Sequence, residues 1–204
     1  MSRQRGPRLK IVRRFQEPLP GLTQKNGERR PYPPGQHGPG RRGKVSDYRV
    51  RLDEKQKLRL NYGLTERQLR RYYRRATKTK GDTGALLLCL LESRLDNTVF
   101  RAGFAPTVPA ARQLVNHGHV RVNGKRVDIA SYSLASGQVV SLTDDAKKIP
   151  MVATALQGRA LELPSYLSVD ESLAQASVTS LPQREDVPVE VQEQLIIEYY
   201  SRVA

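Results

Sequence analysis

Ala111-Arg112-Gln113-Leu114-Val115-Asn116-His117-Gly118-His119-Val120-Arg121-Val122-Asn123-Gly124-Lys125-Arg126-Val127 changes period in the middle. At 100° per residue Ala111, Leu114 and Val115 share one side of a helix, whereas Arg112, Gln113, Asn116 and His117 share the other. The spacing predicts an amphipathic helix that Gly118 closes. From His119 onward apolar and polar residues alternate, and Asn123-Gly124 supplies the two positive-φ positions of a type I′ turn, so a hairpin follows. A helix feeding straight into a hairpin is α+β.

Outward from this stretch the same module extends both ways. Thr107 caps the helix, with Pro109 in its first turn. Residues 93–103 read as a shorter helix stopped by Gly103, and Gly137-Gln138-Val139-Val140-Ser141-Leu142 as another strand. Residues 93–163 therefore predict two short helices plus a small antiparallel or mixed sheet. Asp96 reads as a helix-surface carboxylate near Arg94 or Arg101, and Arg112 and Lys125 read as exposed. The hairpin tip carries Lys125 and Arg126, which with the polar side of the second helix forms one basic surface. His117 and His119 have no carboxylate or thiol cluster beside them, so zinc is not expected there.

Before the module the pattern is helical. Thr65-Glu66-Arg67-Gln68 has the form of a capping box, followed by Leu69, Tyr72, Tyr73 and Ala76 at helical spacing. The opposite face carries Arg67, Arg70, Arg71, Arg74, Arg75 and Lys78, too many like charges at i+3 and i+4 for a comfortable solvent face, so some should meet phosphate. An earlier helix begins after Ser46 and ends near Gly63, with Leu52, Leu58 and Tyr62 on its buried side and Lys55, Lys57 and Arg59 outside. Residues 85–92 form a third helix, apolar all round and hence buried.

Residues 1–44 show little periodicity and dense Pro and Gly, a composition that does not form a core by itself. A solvated flexible arm is one reading. The other is an arm that orders on RNA, with Arg3, Arg5, Arg8, Lys10, Arg13, Arg14, Arg30, Arg41, Arg42 and Lys44 as phosphate contacts. Tyr32 and His37 are the candidates to stack on unpaired bases, and Gln36 is a further candidate rRNA contact.

Charge sorts these segments. The 204 residues carry 35 Lys and Arg against 20 Asp and Glu, a formal +15. Residues 1–80 hold 24 of those cations and 6 acids, whereas residues 166–204 hold 2 and 7. Such a field is self-repulsive unless a polyanion neutralises it, and the first eighty residues build the face that does so. The longest apolar run, residues 85–91, is far short of the ~20 residues that span a bilayer. Cys89 is the only cysteine, which excludes intrachain disulfides and thiolate metal clusters, and it reads as a small buried hydrophobe. The basic start leads into no hydrophobic segment and so is neither secretory signal nor anchor, and a reducing compartment follows.

Several runs together resemble a known family: Arg30-Pro31-Tyr32-Pro33-Pro34-Gly35-Gln36-His37-Gly38, Ser46-Asp47-Tyr48, Glu54-Lys55-Gln56-Lys57-Leu58, Leu91-Glu92-Ser93-Arg94-Leu95-Asp96-Asn97, the stretch quoted above, and Glu193-Gln194-Leu195-Ile196. In this order they resemble small-subunit ribosomal protein four of the bacterial and plastid type. The resemblance implies a structural, non-catalytic, primary binder of the 5′ domain of small-subunit rRNA that nucleates assembly. It also implies a place near the mRNA entrance and an influence on decoding accuracy together with protein five of that subunit. Other ribosomal proteins are further implied neighbours, in the cytoplasm or the plastid stroma, with one copy per ribosome and no membrane contact.

In fold terms it implies an arm over residues 1–45, a helical domain over 46–92 completed by 166–204, and an inserted RNA-binding module over 93–165. The C-terminal helix would return on the helical domain, burying Val187, Val191, Leu195, Tyr199 and Val203. The implied rRNA contacts add Arg94, Thr107, His119, Arg121 and Asn123 to the residues named above. Some relatives bind zinc through an N-terminal cysteine cluster. This chain has none there, so no cofactor is expected and the arm must be held by RNA and local packing.

Arg94-Leu95-Asp96 superficially resembles a pseudouridine synthase motif. That chemistry needs a large mixed-sheet domain, whereas the residues after Leu163 read as loop plus helix. A free-standing RNA chaperone and a membrane-surface binder are the remaining rivals, the latter weakened by the lack of an apolar face able to insert.

Overall fold

The structure is a computed structural model that describes residues 6–40, 44–158 and 161–203. It divides into two compact units, one built from residues up to Gly84 together with those from Val189, the other from Ala85–Pro188.

The helical unit starts with α1 (Arg8–Phe15), which the sequence reading did not anticipate. Val12, Leu19 and Leu22 are buried together beside it with Ile11 and Phe15 packed around them, so the arm has a small apolar cluster of its own. Its chain then passes so close to α2 (Asp47–Asn61) that a Cβ on Gly21 would sit 2.5 Å from the Asn61 carbonyl oxygen. Only glycine fits there, and its N–H donates to Asn61 Oδ1 at 2.9 Å. Ser46 caps α2, accepting from the Arg49 N–H.

Helix α3 (Glu66–Lys78) has both bonds of the predicted capping box, Gln68 N–H to Thr65 Oγ1 at 3.3 Å and Thr65 N–H to Gln68 Oε1 at 3.0 Å. α4 (Thr83–Glu92) follows, and from Ala85 onward it belongs to the second unit. Leu87, Leu88 and Leu91 are buried, but Leu86, Cys89 and Leu90 are only half-buried, so the prediction of a helix buried all round is corrected.

The unit is closed by a helix far along the chain, Glu193–Val203, which packs on α2. Val187 and Val191, ahead of the helix, are buried as expected, but within it the buried positions are Ile196 and Tyr200 while Leu195 and Tyr199 are half-buried, so from Leu195 on the expected stripe is one residue out of register. The reason is aromatic: Tyr200 stacks on Tyr73 with ring centroids 4.8 Å apart and donates its hydroxyl to Glu66 Oε1 at 2.8 Å. Tyr199 instead lies under the Lys55 ammonium at 4.5 Å.

The second unit holds α5 (Leu95–Arg101), α6 (Val108–Asn116), β1 (Val120–Val122), β2 (Lys125–Arg126), β3 (Val139–Leu142), α7 (Asp144–Lys147) and α8 (Pro150–Gln157). β4 (Leu167–Asp170) and β5 (Gln175–Val178) complete it. Asn123 and Gly124 take φ of 48° and 78°, the predicted tight turn. The sheet order is β2-β1-β3-β5-β4, antiparallel throughout, with Val120 opposite Leu142, Val140 opposite Ala176 and Leu167 opposite Val178. Residues 167–178, which the sequence reading sends to the helical part as loop, therefore form sheet. The core lies between this sheet and α5 and α6, with Val99, Phe104, Val115, Val120, Val140 and Ala176 fully buried. Each such side chain contributes about 1.5–3 kcal/mol when it is a large aliphatic or aromatic one.

Helix α5 is buried at every residue, polar ones included. Asp96, expected on the surface, has no exposure. Its Oδ2 accepts from Arg94 at 2.7 Å and from Arg112 at 2.6 Å, and its Oδ1 from Arg94 Nε at 3.0 Å. The helix is covered by the loop before β3, which pairs with it through Leu95 N–H to Tyr132 O and Leu134 N–H to Ser93 O. A second carboxylate, Glu92, accepts from Asn97 Nδ2 at 2.7 Å and from the Tyr166 hydroxyl at 2.9 Å. Burial, followed by the charge of Glu92, pushes the Tyr166 phenol well above its ordinary range.

Candidate RNA-binding surface

A cation can serve a polyanion only if it reaches solvent and is not already committed to a carboxylate, and that criterion divides the predicted residues. On α3, Arg67, Arg71, Arg74, Arg75 and Lys78 are exposed, and none forms an ion pair with a described residue. They recur at i, i+4, i+7, i+8 and i+11, which places them along one side of the helix, opposite buried Leu69, Tyr73 and Ala76. Arg70 is half-buried, and its Nε lies under the surface with no hydrogen-bond partner.

On α2 the predicted contacts Lys55, Lys57 and Arg59 are spent inside the protein. Lys55 and Lys57, expected on the outer side, are 2% and 6% exposed. Lys55 donates to Glu66 Oε2 at 2.9 Å, and Lys57 to Glu17 at 2.7 Å and to Glu54. Burial alone would lower the Lys57 ammonium, but its bonds to Glu17 and Glu54 outweigh that and hold it above its ordinary value. Burial likewise opposes ionisation of Glu66, and the bonds from Lys55 and Tyr200 with the charges of Lys55 and Arg59 keep its carboxyl below the usual range. Arg59 is half-buried and donates to Gln56 Oε1 at 2.7 Å.

In the arm, Lys10, Arg30, Gln36, His37 and Lys44 are exposed. Arg14 is exposed too, but bridges to Asp53 at 2.9 Å. Arg8 donates to the Leu22 carbonyl and Arg13 to the Arg30 carbonyl, and the Arg13 guanidinium lies 5.0 Å over the half-buried Tyr32 ring. The Arg14 bridge ties the arm to α2, while the Arg8 and Arg13 contacts brace the arm on itself. Arg3, Arg5, Arg41 and Arg42 lie outside the described residues. Not anticipated from the sequence were Glu17 and Glu54 as the partners of Lys57, and Asp53 as the partner of Arg14 and Arg49. The i,i+3 spacing of Glu54 to Lys57 and the i,i+4 spacing of Arg49 to Asp53 were the available signals.

In the second unit, Gln113, Asn116 and His117 are exposed on α6, and Arg121, Lys125 and Arg126 on the hairpin. The His117 and His119 rings are 6.2 Å apart, and the Arg126 guanidinium packs directly over Gly118, where φ is +76°. The exposed side of α6 and the hairpin thus come together around Gly118. Three predicted contacts have structural duties here. Arg94 is buried on Asp96, Thr107 accepts from the Ala110 N–H as the cap of α6, and Asn123 Oδ1 accepts from the Val139 N–H at 2.8 Å. Arg112 is half-buried on Asp96, not freely exposed. Among the described residues no three or more His, Cys, Asp or Glu come together as a group able to hold a metal ion. No described helix is long and apolar enough to cross a membrane.

Residues 3–92 match the family model described as ribosomal protein S4/S9 N-terminal domain, and residues 93–140 match the S4 domain. The chain is 58% identical over 205 residues to small ribosomal subunit protein uS4 of Nostoc punctiforme, covering 100% of both chains. The same identity and coverage hold against that protein of Trichormus variabilis, and 56% identity over 203 residues, 99% of both chains, against that of Thermosynechococcus vestitus. Similarity of this level along the whole length, together with the arm, helical unit and sheet module described above, means that the chain belongs to the uS4 family of small ribosomal subunit proteins.

Proposed function

We propose that this protein is a primary binder of the 5′ domain of small-subunit rRNA, docking early and organising a junction of RNA helices during subunit assembly. As a member of the uS4 family it is a structural, RNA-binding component of the translation apparatus and not an enzyme. The finer reading adds protein five of the same subunit as a neighbour and a position near the mRNA entrance, where the pair influences decoding accuracy. It places the protein in a bacterial cytoplasm or a plastid stroma.

The observation that carries the RNA reading is the row of exposed α3 cations with no carboxylate partner among the described residues. A-form RNA is gripped through phosphates and 2′-hydroxyls, and a straight row of guanidinium groups suits that backbone. The domain division follows the same logic, with the arm and α3 supplying phosphate contacts and the hairpin and α6 supplying donors for a folded junction.

Hydroxyl-radical footprinting of full-length protein on isolated small-subunit rRNA tests this. Protections clustered in the 5′ domain are expected. Protections scattered over the whole rRNA, or none at salt concentrations that leave other primary binders attached, would overturn it.

A further inference from the structure

Between the arm and α2 lies a cleft of about 690 Å³ within the helical unit. It is within the ~300–1,000 Å³ range of small-ligand sites. Its charge is mixed, unlike that of the α3 face. Lys57 is bound to Glu17 and Glu54, and Arg14 and Arg49 share Asp53, at 2.9 and 3.3 Å. A phosphate driven inside would confront those carboxylates while competing for cations they already hold.

A nucleobase meets a different environment. Its ring needs flat partners, and the cleft offers the Arg14 guanidinium, which lies 5.3 Å over the Phe15 ring, and the exposed His37 imidazole. Bases extruded from RNA stack on guanidinium and imidazole planes of this kind. Exocyclic amines and ring N–H groups are donors, and carboxylate oxygens accept from them. Glu17 is 44% exposed on its side chain while its Oε2 serves Lys57, and the amide of Gln36, which also lines the cleft, both donates and accepts. Lys44, which also lines the cleft, is exposed and so within reach of a phosphate next to the extruded residue.

We propose that this cleft takes one unpaired nucleotide of the bound RNA, base inward and phosphates at the rim, and that it favours a base with an exocyclic amine, which offers two N–H donors, over uracil, whose N3–H is its single one. The inference rests on the RNA-binding reading above and adds a base-specific subsite to what is otherwise recognition of backbone and shape.

The test is base-edge chemical probing, with dimethyl sulfate and kethoxal, of small-subunit rRNA bound to full-length protein and to a Gln36→Ala, His37→Ala double variant. Both side chains are exposed, so an unchanged melting curve is the folding control. With the original protein at least one unpaired A, C or G is protected. With the variant that position regains its reactivity, the other protections persist, and affinity falls about 10-fold. A variant that keeps every protection and its affinity would overturn the subsite while leaving the RNA-binding reading intact. Failure of the original protein to bind this rRNA at all would remove the reading on which the subsite rests. A second measurement follows amide and imidazole resonances of the free protein with millimolar 5′-GMP or inorganic phosphate. Shifts at Gln36 and His37 with the nucleotide alone support the proposal, and equal shifts with phosphate alone make the cleft an anion site and overturn it.

Discussion

With no solvent exposure and its carboxylate engaged by both Arg94 and Arg112, Asp96 cannot be removed without leaving guanidinium charge uncompensated inside the module. Breaking a buried pair of this kind costs about 3–5 kcal/mol. Asp96→Ala should therefore lower stability by that order in urea denaturation followed by circular dichroism. A loss no larger than that of the exposed control Asp144→Ala would contradict the assignment. Arg112→Ala should cost less, because Arg94 remains, but it is not the silent surface change that the sequence suggested. A second residue-level consequence concerns pH. Glu66 is held below the ordinary carboxylate range, so its contribution is complete above the usual Glu titration near ~4.3 and fades as pH falls through its lower native value. Lys57 is raised, so its contribution is complete below the ordinary ammonium value and is lost only as pH climbs through the higher native one. The melting temperature of Glu66→Gln should lie below that of the original protein near neutrality, and the gap should close on acidification. A gap undiminished at about pH 2 would show that the Glu66 charge is not what matters.

Among the elements, α3 makes the clearest quantitative statement. Replacing Arg67, Arg71 and Arg74 together by Ala should reduce the slope of log affinity for rRNA against log salt by about 0.7–0.9 for each phosphate that is no longer neutralised. The melting temperature should hold or rise, since neighbouring like charges on the helix are relieved. An unchanged slope would mean that α3 faces away from the RNA. The arm makes another: Asn61→Ala removes the acceptor for the Gly21 N–H, and hydrogen exchange should accelerate across residues 8–31 while the sheet module stays protected. Acceleration in both units would show that Asn61 supports far more than the arm.

What could be read beforehand follows the length over which a pattern repeats. The α3 capping box and the Asn123-Gly124 turn are local chemistry and needed no tertiary partner. Leu167-Ser168-Val169-Asp170 and Gln175-Ala176-Ser177-Val178 are four-residue strands, too short for alternation to stand out, and their place in the sheet depends on β3. Two apolar stripes at i,i+4 compete on the last helix, and only Tyr73 decides between them. The candidate site was legible as charge but not as availability. Lys57 and Arg71 look alike in sequence, and what separates them is Glu54 one turn away on the same helix together with Glu17, which the fold of the arm brings in.

At the scale of the molecule, charge and architecture are distributed differently. The cation-rich first eighty residues fall in the helical unit, so the salt dependence of RNA binding should reside mostly there. Deleting residues 2–44 should flatten that dependence and also reduce stability, because it removes the Val12, Leu19 and Leu22 cluster and the Glu17 that pairs with Lys57. An unaltered slope would show that the arm makes no phosphate contacts.

The closing of the helical unit by Glu193–Val203 has a bearing on biosynthesis. Translation delivers the nascent segment bearing most of the positive charge early, yet Tyr73 waits for Tyr200, which is made well over a hundred residues later. The contiguous middle can mature while the earlier-made part is still incomplete, inverting the usual N-terminal-first order of cotranslational folding.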